Sequence, residues 1–274
     1  MTADALPIDT HAHVWNPQRG HAWLANSPAV MRREYSVADL LAEELGSPRR
    51  HILVEAGHGD PAAEAAGLLA IAAAEPRIAG VVCAARFDSP ADVDRALDAE
   101  RGPGALVGLR DSRRGAGAPT AAGIAAFAAA APSVALETAA PWHGRPSWYR
   151  AASEAAPSHV VIDHLGGVPA DPESRAEWRA AMLDLSTVPT VFVKVSGLLT
   201  NDAWRDSGRP APDVVDILNA FGADRLLVGS DWPICRRVAD STASLETAVT
   251  LVVSTVPGLS EEHLSDNASR AYHL

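Results

Sequence analysis

The stretch "TVFVKVSG", residues 190–197, is a short apolar run rich in valine that ends in polar residues. Valine favours strands, and an apolar run without strict alternation is typical of a parallel strand covered on both faces. Seven further runs of this kind occur along the chain. They are "LPID" (6–9), "HILVEA" (51–56), "AGVVCAAR" (79–86), "ALVGLRD" (105–111), "SVALET" (133–138), "HVVIDH" (159–164) and "RLLVGSD" (225–231). We therefore predict eight parallel strands.

Stretches with helical start signals separate these runs. Ser36 with Asp39 resembles a capping box, and Pro90 follows Ser89 where a first helical turn would begin. Further helices are predicted near residues 61–75, 120–131, 145–156, 172–186, 212–221, 243–256 and 260–271. Eight strand–helix repeats predict an α/β fold, a (β/α)₈ TIM barrel, as a single domain over residues 1–274. A doubly wound open sheet is the competing fold, because periodicity does not show whether a sheet closes.

The bulk composition limits the classes of partner. The 274 residues carry a formal net charge of −11, with 47% apolar and 21% charged residues. This acidic balance argues against a surface for nucleic acid or an anionic membrane. The partner that we expect is a small-molecule substrate. Cys83 and Cys235 lie apart without CxxC spacing, and no basic and apolar leader begins the chain, so we expect a cytoplasmic protein. A homo-oligomer stays an open alternative.

Polar residues stand at the ends of nearly all the predicted strands. In chain order they are His11 and His13, Glu55 and His58, Arg86, Arg110 and Asp111, Glu137, Asp163 and His164, Lys194 and Ser196, and Asp231. A TIM barrel places its active site at the carboxyl ends of its strands. Because burying unpartnered ionisable groups costs several kcal/mol each, we expect them to converge on one another, a metal or a ligand.

Several of these segments together resemble one known family. The segments are "DTHAHVW", "RIAGVVCAARFD", "LVGLRD", "VIDHLGG", "KVSGL", "LLVGSDWP" and the closing "DNASRAYHL". In this order they look like the amidohydrolase superfamily, and within it the amidohydrolase-related branch of TIM-barrel hydrolases and lactonases. The resemblance runs from residue 8 to residue 274.

The resemblance implies a metal-ligand set. In metal-using members, residues matching His11, His13, His164 and Asp231 hold a divalent ion such as Zn²⁺, with a position left open for water. Glu137 ends strand 5 where the two-metal pattern has a further histidine, and no lysine ends strand 4. We therefore expect one metal ion, or none, since some relatives work without metal. Glu137 itself is a candidate metal ligand, proton-transfer group or structural partner of Arg86 or Lys194.

The resemblance also implies a reaction, the opening of a sugar-acid or dicarboxylate lactone by water. The catalytic candidates are Asp231 as general base, with His164 and Arg110. Arg110 either pairs with Asp111 or clamps a substrate oxygen through its forked guanidinium. The substrate-binding candidates are Arg86, Glu55, His58, His143 and Lys194.

Plainer interpretations and other functions compete with this one. Asp231 could open a turn, His164 could be a satisfied core histidine, and His11 with His13 could form a surface pair. A metal-dependent non-oxidative decarboxylase of an unsaturated or aromatic acid would use the same residues, as would an amide hydrolase. An inactive barrel that binds a ligand is the alternative outside the enzymes. The chain has no GxSxG motif, which disfavours a serine nucleophile of the elbow type.

Overall fold

The computed structural model describes residues 6–44, 47–99, 105–112, 120–138, 150, 159–201, 205–206 and 209–274. Eight of its strands form one parallel sheet and pair in chain order. They are β1 (Ile8–Ala12), β2 (Arg50–Val54), β3 (Ile78–Ala84), β4 (Leu106–Asp111), β5 (Ala135–Thr138), β6 (Val160–Ile162), β7 (Val191–Val195) and β8 (Leu226–Val228). The eight predicted parallel strands are confirmed.

The sheet closes on itself between β8 and β1. The amide of Asp231 donates to the carbonyl of His11 at 2.9 Å, and the amide of His13 donates to that of Trp232 at 2.6 Å. The hydroxyl of Thr10 donates to the carbonyl of Val228 at 2.7 Å. These bonds replace an open edge, so the prediction of a TIM barrel rather than an open doubly wound sheet is confirmed.

Helices alternate with the strands as predicted. They are α1 (Val37–Ala42), α2 (Pro61–Ala74), α3 (Pro90–Ala99), α4 (Ala121–Ala130), α5 (Pro172–Ser186), α6 (Pro212–Phe221), α7 (Ser241–Thr255) and α8 (Glu261–Tyr272). The capping box of α1 is present, because the Asp39 amide donates to the Ser36 hydroxyl oxygen and the Ser36 amide donates to the Asp39 carboxylate. The helix predicted at 145–156 lies, apart from residue 150, outside the described residues.

The last helix packs against the sheet itself. Each strand contributes one apolar residue, and β2 two, to the same buried cluster as three residues of α8. The strand residues are Ile8, Ile52, Val54, Val82, Val107, Ala135, Val161, Phe192 and Leu227, and the helix residues are Ala268, Ala271 and Tyr272. Asn267 anchors the helix by donating to the carbonyl of Leu226 at 2.9 Å. None of the helices among the described residues is long and apolar enough to cross a bilayer.

Candidate active site

Two left-handed turns follow β6 and β8. His164 and Leu165 have φ angles of 51° and 53°, and Asp231 has a φ angle of 57°. Such angles cost a non-glycine residue about 1–2 kcal/mol and persist where the surrounding structure holds them. The turns bring both side chains to β1, where the ring centroids of His164 and His11 lie 4.6 Å apart.

The two histidines of the HxH motif face the carboxylate of Asp231. His13 lies just beyond the end of β1, and its ring centroid is 4.8 Å from that of His11. Asp231 Oδ1 lies 3.8 Å from His11 Nε2 and 3.5 Å from His13 Nε2. The structure thus brings together four residues that the resemblance grouped, drawn from the first, sixth and eighth strand ends.

The hydrogen-bond partners of each imidazole indicate which of its two nitrogens carries the proton and which is available to a ligand. His13 Nδ1 lies 2.8 Å from the Val54 carbonyl, which can only accept, so His13 carries its proton there and keeps the Nε2 lone pair free. His164 Nδ1 lies 2.9 Å from the Ser196 hydroxyl. Burial lowers the pKa of His164 and holds the pKa of His11 well below its usual range, so both rings are neutral near pH 7.

The centre fits a divalent cation. Ligand atoms of His11, His164 and Asp231 all lie within 4.8 Å of one another. His11 Nε2 is buried with no hydrogen-bond partner among the described residues, while Nδ1 lies 3.3 Å from Asp163. A proton on Nδ1, directed at that carboxylate, leaves Nε2 as a ligand, as in carboxylate–histidine–zinc arrangements. Neutral imidazole and carboxylate together are a donor set that Zn²⁺ prefers.

Behind this centre lies a second, fully buried group of charges. Lys194 Nζ lies 2.5 Å from Glu137 Oε1 and 3.2 Å from Asp163 Oδ1. The Tyr272 hydroxyl donates to the other Glu137 oxygen at 2.7 Å. Burial and the neighbouring Asp163 raise the pKa of Glu137 to about 7. Burial opposes ionisation of Asp163 as well, but Lys194 and Arg110 outweigh it and hold its pKa well below the usual range.

Arg110 joins the buried charges to the substrate space. Its Nη1 lies 3.0 Å from Glu55 Oε1, and its Nε lies 2.8 Å from Asp163 Oδ2. The ion-pair partners of Arg110 are therefore Glu55 and Asp163 rather than the foreseen Asp111, and its role as a clamp on a substrate oxygen stays a prediction. The groups around His11 thus include two cations and four carboxylates, and this excess of negative charge favours a cation at the histidine centre. The cations are Lys194 and Arg110, and the carboxylates are Glu55, Glu137, Asp163 and Asp231.

Two adjoining cavities open beside the centre and share Glu55 and Arg110 in their walls. One, of about 580 Å³, is also lined by His13, Trp15 and Trp23. The other, of about 410 Å³, is also lined by His58 and Arg86. Both volumes suit a small ligand.

The structure separates the predicted substrate-binding residues into three groups. Glu55, His58 and Arg86 line the smaller cavity. Lys194 has no exposed surface and lies behind the histidine centre. His143 lies outside the described residues.

Sequence reasoning missed Tyr272 and the two tryptophans of the larger cavity. Tyr272 stands in the closing motif "DNASRAYHL", where its helical spacing with Ala268 was the available signal for a buried position. Trp15 follows the HxH motif by two residues, and nothing in its local pattern distinguishes a cavity wall from core.

Known proteins share this fold and part of this sequence. The family model described as amidohydrolase (Amidohydro_2) matches residues 8–274. An L-fucono-1,5-lactonase from Burkholderia multivorans is 32% identical over 283 aligned positions, which cover 88% of this chain and 87% of the relative.

Two solved structures extend the comparison. An amidohydrolase from Burkholderia multivorans, crystallised with bound zinc, is 27% identical with a TM-score of 0.73, over 98% of this chain and 100% of that one. The protein described as amidohydrolase 2 from Bifidobacterium longum subsp. infantis is 27% identical with a TM-score of 0.73, over 97% and 98%. The chain belongs to the amidohydrolase family and is a hydrolase of that family.

Proposed function

We propose that this protein opens a sugar-acid lactone by direct attack of water, with Asp231 as the general base. Similarity over most of the chain to an L-fucono-1,5-lactonase supports the reaction type. The observation that carries the proposal is the meeting of Asp231 with His11 and His13 beside two cavities of ligand size. A dicarboxylate lactone is the alternative substrate within the same reaction.

The cavity walls suit a small ring that bears hydroxyl groups. Trp15 and Trp23 provide apolar faces, and their rings meet edge to face with centroids 5.4 Å apart. Glu55, His58 and Arg110 provide donors and acceptors along the adjoining wall. A sugar lactone presents both kinds of surface, C–H faces and hydroxyl edges, so this wall composition can orient it.

Asp231 handles the protons of the reaction. As a water oxygen forms its bond to the lactone carbonyl carbon, the carboxylate takes a proton from that water. When the bond from this carbon to the ring oxygen breaks, Asp231 returns the proton to the leaving alkoxide. The products are one hydroxyl group and one carboxylic acid, which ionises near neutral pH and makes the reaction visible as acid release.

Arg110 and the histidines act on the carbonyl oxygen. A guanidinium has five N–H groups, so ion pairs with Glu55 and Asp163 leave Arg110 donors for an oxygen in the cavity. Donors fixed in place before the reaction stabilise the negative charge that develops on that oxygen. The two carboxylates hold the guanidinium at the wall and limit its movement.

The metal candidates are His11, His13, His164 and Asp231, with Glu137 behind them. When bound there, a zinc ion supplies Lewis-acid polarisation and acidifies a water molecule. The chain's part is to orient the imidazoles, which the contacts of His13 with Val54 and of His164 with Ser196 accomplish.

A cysteine nucleophile is not part of this proposal. Cys83 and Cys235 are both buried and form no disulfide with each other, and burial raises the pKa of the Cys235 thiol. Thiols of this kind are usual in a reducing compartment, which supports the proposal that the protein is cytoplasmic. We retain a single domain over residues 1–274 as part of the same proposal.

Acid release over a panel of substrates tests the proposed reaction. The panel holds 1,5- and 1,4-lactones of several sugar acids, a pyrone dicarboxylate, simple amides and aromatic acids, each corrected for spontaneous hydrolysis with heat-inactivated protein. We expect acid release from at least one sugar-acid lactone at many times the spontaneous rate. Release of CO₂ from an aromatic acid or cleavage of an amide, with no lactone opened, would overturn the proposal in favour of a decarboxylase or an amide hydrolase. Tight retention of a ligand without any turnover would overturn it in favour of a binding protein.

A further inference from the structure

Lys194 is the only lysine in a chain that otherwise uses arginine for its side-chain cations. It lies in β7 and is completely buried. An ammonium is a compact point charge with three donors, whereas a guanidinium is a broad planar fork. The single lysine of this chain is therefore buried where a compact cation fits and a guanidinium would be too broad.

The ammonium of Lys194 has three close neighbours, each from a different strand or strand end. Its Nζ lies 2.5 Å from Glu137 Oε1 and 3.2 Å from Asp163 Oδ1. It also lies 3.2 Å from His11 Nδ1, where the ammonium and the imidazole N–H both face the Asp163 carboxylate and do not bond to each other. The face of the Tyr272 ring covers it, with 5.4 Å from Nζ to the ring centroid.

The same three neighbours are a group that could hold a metal ion. Ligand atoms of His11, Glu137 and Asp163 lie within 4.8 Å of one another, as do those of the neighbouring group of His11, His164 and Asp231. Two potential cation positions therefore stand side by side and share one imidazole. The position among His11, Glu137 and Asp163, which lies behind the histidine centre and is the second of the two, is filled, because the Lys194 ammonium lies within 3.2 Å of an atom of each.

We propose that Lys194 is a built-in cation that fills the second cation position of this centre, so that the centre accepts one divalent ion and no more. Lys194 is then a positioning residue. It places one positive charge between the carboxylates of Glu137 and Asp163, behind the histidine centre. The proposal uses the metal fit of the proposed function but does not depend on which substrate is opened.

The test is the number of zinc ions bound per chain, together with the thermal unfolding midpoint, in wild type and Lys194→Ala. Each protein is stripped with chelator, equilibrated with excess zinc, desalted and analysed for metal. We expect about one zinc per wild-type chain and about one more in Lys194→Ala. We also compare the thermal unfolding midpoint of each metal-free protein in methylammonium chloride and in sodium chloride of equal ionic strength. The midpoint of Lys194→Ala should be higher in methylammonium chloride, and that of wild type should be the same in both salts.

Two further variants control for structure. Tyr272→Phe removes a hydrogen bond to Glu137 but keeps the ammonium, so its zinc content should equal that of wild type. If Lys194→Ala does not fold, the double variant Lys194→Met with Glu137→Gln removes the cation and one carboxylate together. We expect the double variant to fold and to be more stable than Lys194→Met alone.

Three results would overturn the proposal. The first is two zinc ions bound per wild-type chain. The second is a folded Lys194→Ala that binds no additional zinc and whose unfolding midpoint methylammonium does not raise, and the third is a double variant that is no more stable than Lys194→Met. Because neither metal content nor the midpoint requires turnover, a protein that opens no lactone yet gains zinc on loss of Lys194 would contradict only the proposed function.

Discussion

At the scale of single residues, the orientation of His164 depends on the two residues that follow β7. The hydroxyl of Ser196 lies 2.9 Å from His164 Nδ1. Gly197 follows with a φ angle of 64° and lies against both His164 and Asp231. Ser196 and Gly197 therefore determine the relative position of the His164 imidazole and the Asp231 carboxylate.

Ser196→Ala should weaken zinc binding while leaving the fold intact. Groups that hold the far nitrogen of a ligand histidine typically contribute about 10–100-fold to metal affinity, so the zinc Kd should rise by that factor. Competition with a chromogenic chelator measures it. Ser254→Ala, on the exposed end of α7, is the matched control and should leave the Kd unchanged. Equal affinities for Ser196→Ala and wild type would remove His164 from the metal-ligand set.

Gly197→Ala should damage catalysis more than stability. An added Cβ would stand 2.9 Å from His164 Nδ1 and 3.1 Å from Asp231 Oδ2, which forces the two groups apart. A displacement of this kind can lower kcat about 100-fold. Gly222→Ala is the matched control, because its φ angle is 71° and a Cβ there meets nothing within 4 Å. Both variants should lose about 1 kcal/mol of stability from backbone strain, and kcat should fall in Gly197→Ala alone. A similar kcat in both would show that the crowding does not matter.

At the scale of elements, two loops at the carboxyl end of the barrel are joined by one ion pair. His21 Nε2, from the loop after β1, lies 3.3 Å from Glu64 in the first turn of α2. Glu64 also accepts hydrogen bonds from the amides of Ala56 and His58 at 2.7 and 3.2 Å. The contact thus shapes the loop that carries His58 into the substrate cavity.

This ion pair predicts a pH-dependent stability. Burial opposes protonation of His21, but its bond to Glu64 outweighs burial and raises its pKa. A raised pKa stabilises the fold below the unfolded pKa of about 6.5, and that contribution disappears as pH rises through the folded pKa. Urea unfolding of wild type and His21→Gln should therefore differ by about 1 kcal/mol at pH 5.5 and by less at pH 8.5. A difference that stays constant or grows with pH would contradict the ion pair.

Two helical glycines predict opposite effects of the same substitution. Gly67 in α2 is exposed, and a Cβ there meets nothing within 4 Å. Gly67→Ala should stabilise the protein by about 0.5–1 kcal/mol, since alanine favours a helix over glycine. Gly123 in α4 lies against the Phe87 carbonyl, which a Cβ would approach to 2.1 Å, so Gly123→Ala should destabilise it. Chemical unfolding measures both, and stabilisation by Gly123→Ala would show that α4 is not so closely packed.

At the scale of the whole molecule, local sequence pattern predicts the order of the strands and the positions of the helices. It does not predict which buried charged residues pair with one another. The apolar runs gave the eight strands, yet β1 covers Ile8–Ala12 rather than 6–9, because the run of polar residues "DTH" hides a strand buried in the barrel. Glu137 and Lys194 are 57 positions apart, and Glu137 and Tyr272 are 135 apart. No local pattern predicts such pairs, which exist only once the barrel has closed and α8 has packed against it.

Local pattern has the same limit at the candidate site. The family resemblance of the motifs grouped His11, His13, His164 and Asp231, and each of them follows or ends a strand. Their proton positions depend on the Val54 carbonyl, Ser196 and Asp163, which only the fold brings near. Lys194 looked like a substrate contact by position alone, and only its burial places it elsewhere.

The central claim is that the carboxylate of Asp231, held among three imidazoles, takes the proton from the attacking water. The most direct measurement is kcat of Asp231→Asn on a lactone that wild type opens, with circular dichroism to confirm the fold. Asparagine has nearly the same shape but cannot accept the proton, so kcat should fall by about 10²–10⁴-fold. A folded Asp231→Asn variant whose kcat stays within a few-fold of wild type would contradict the claim.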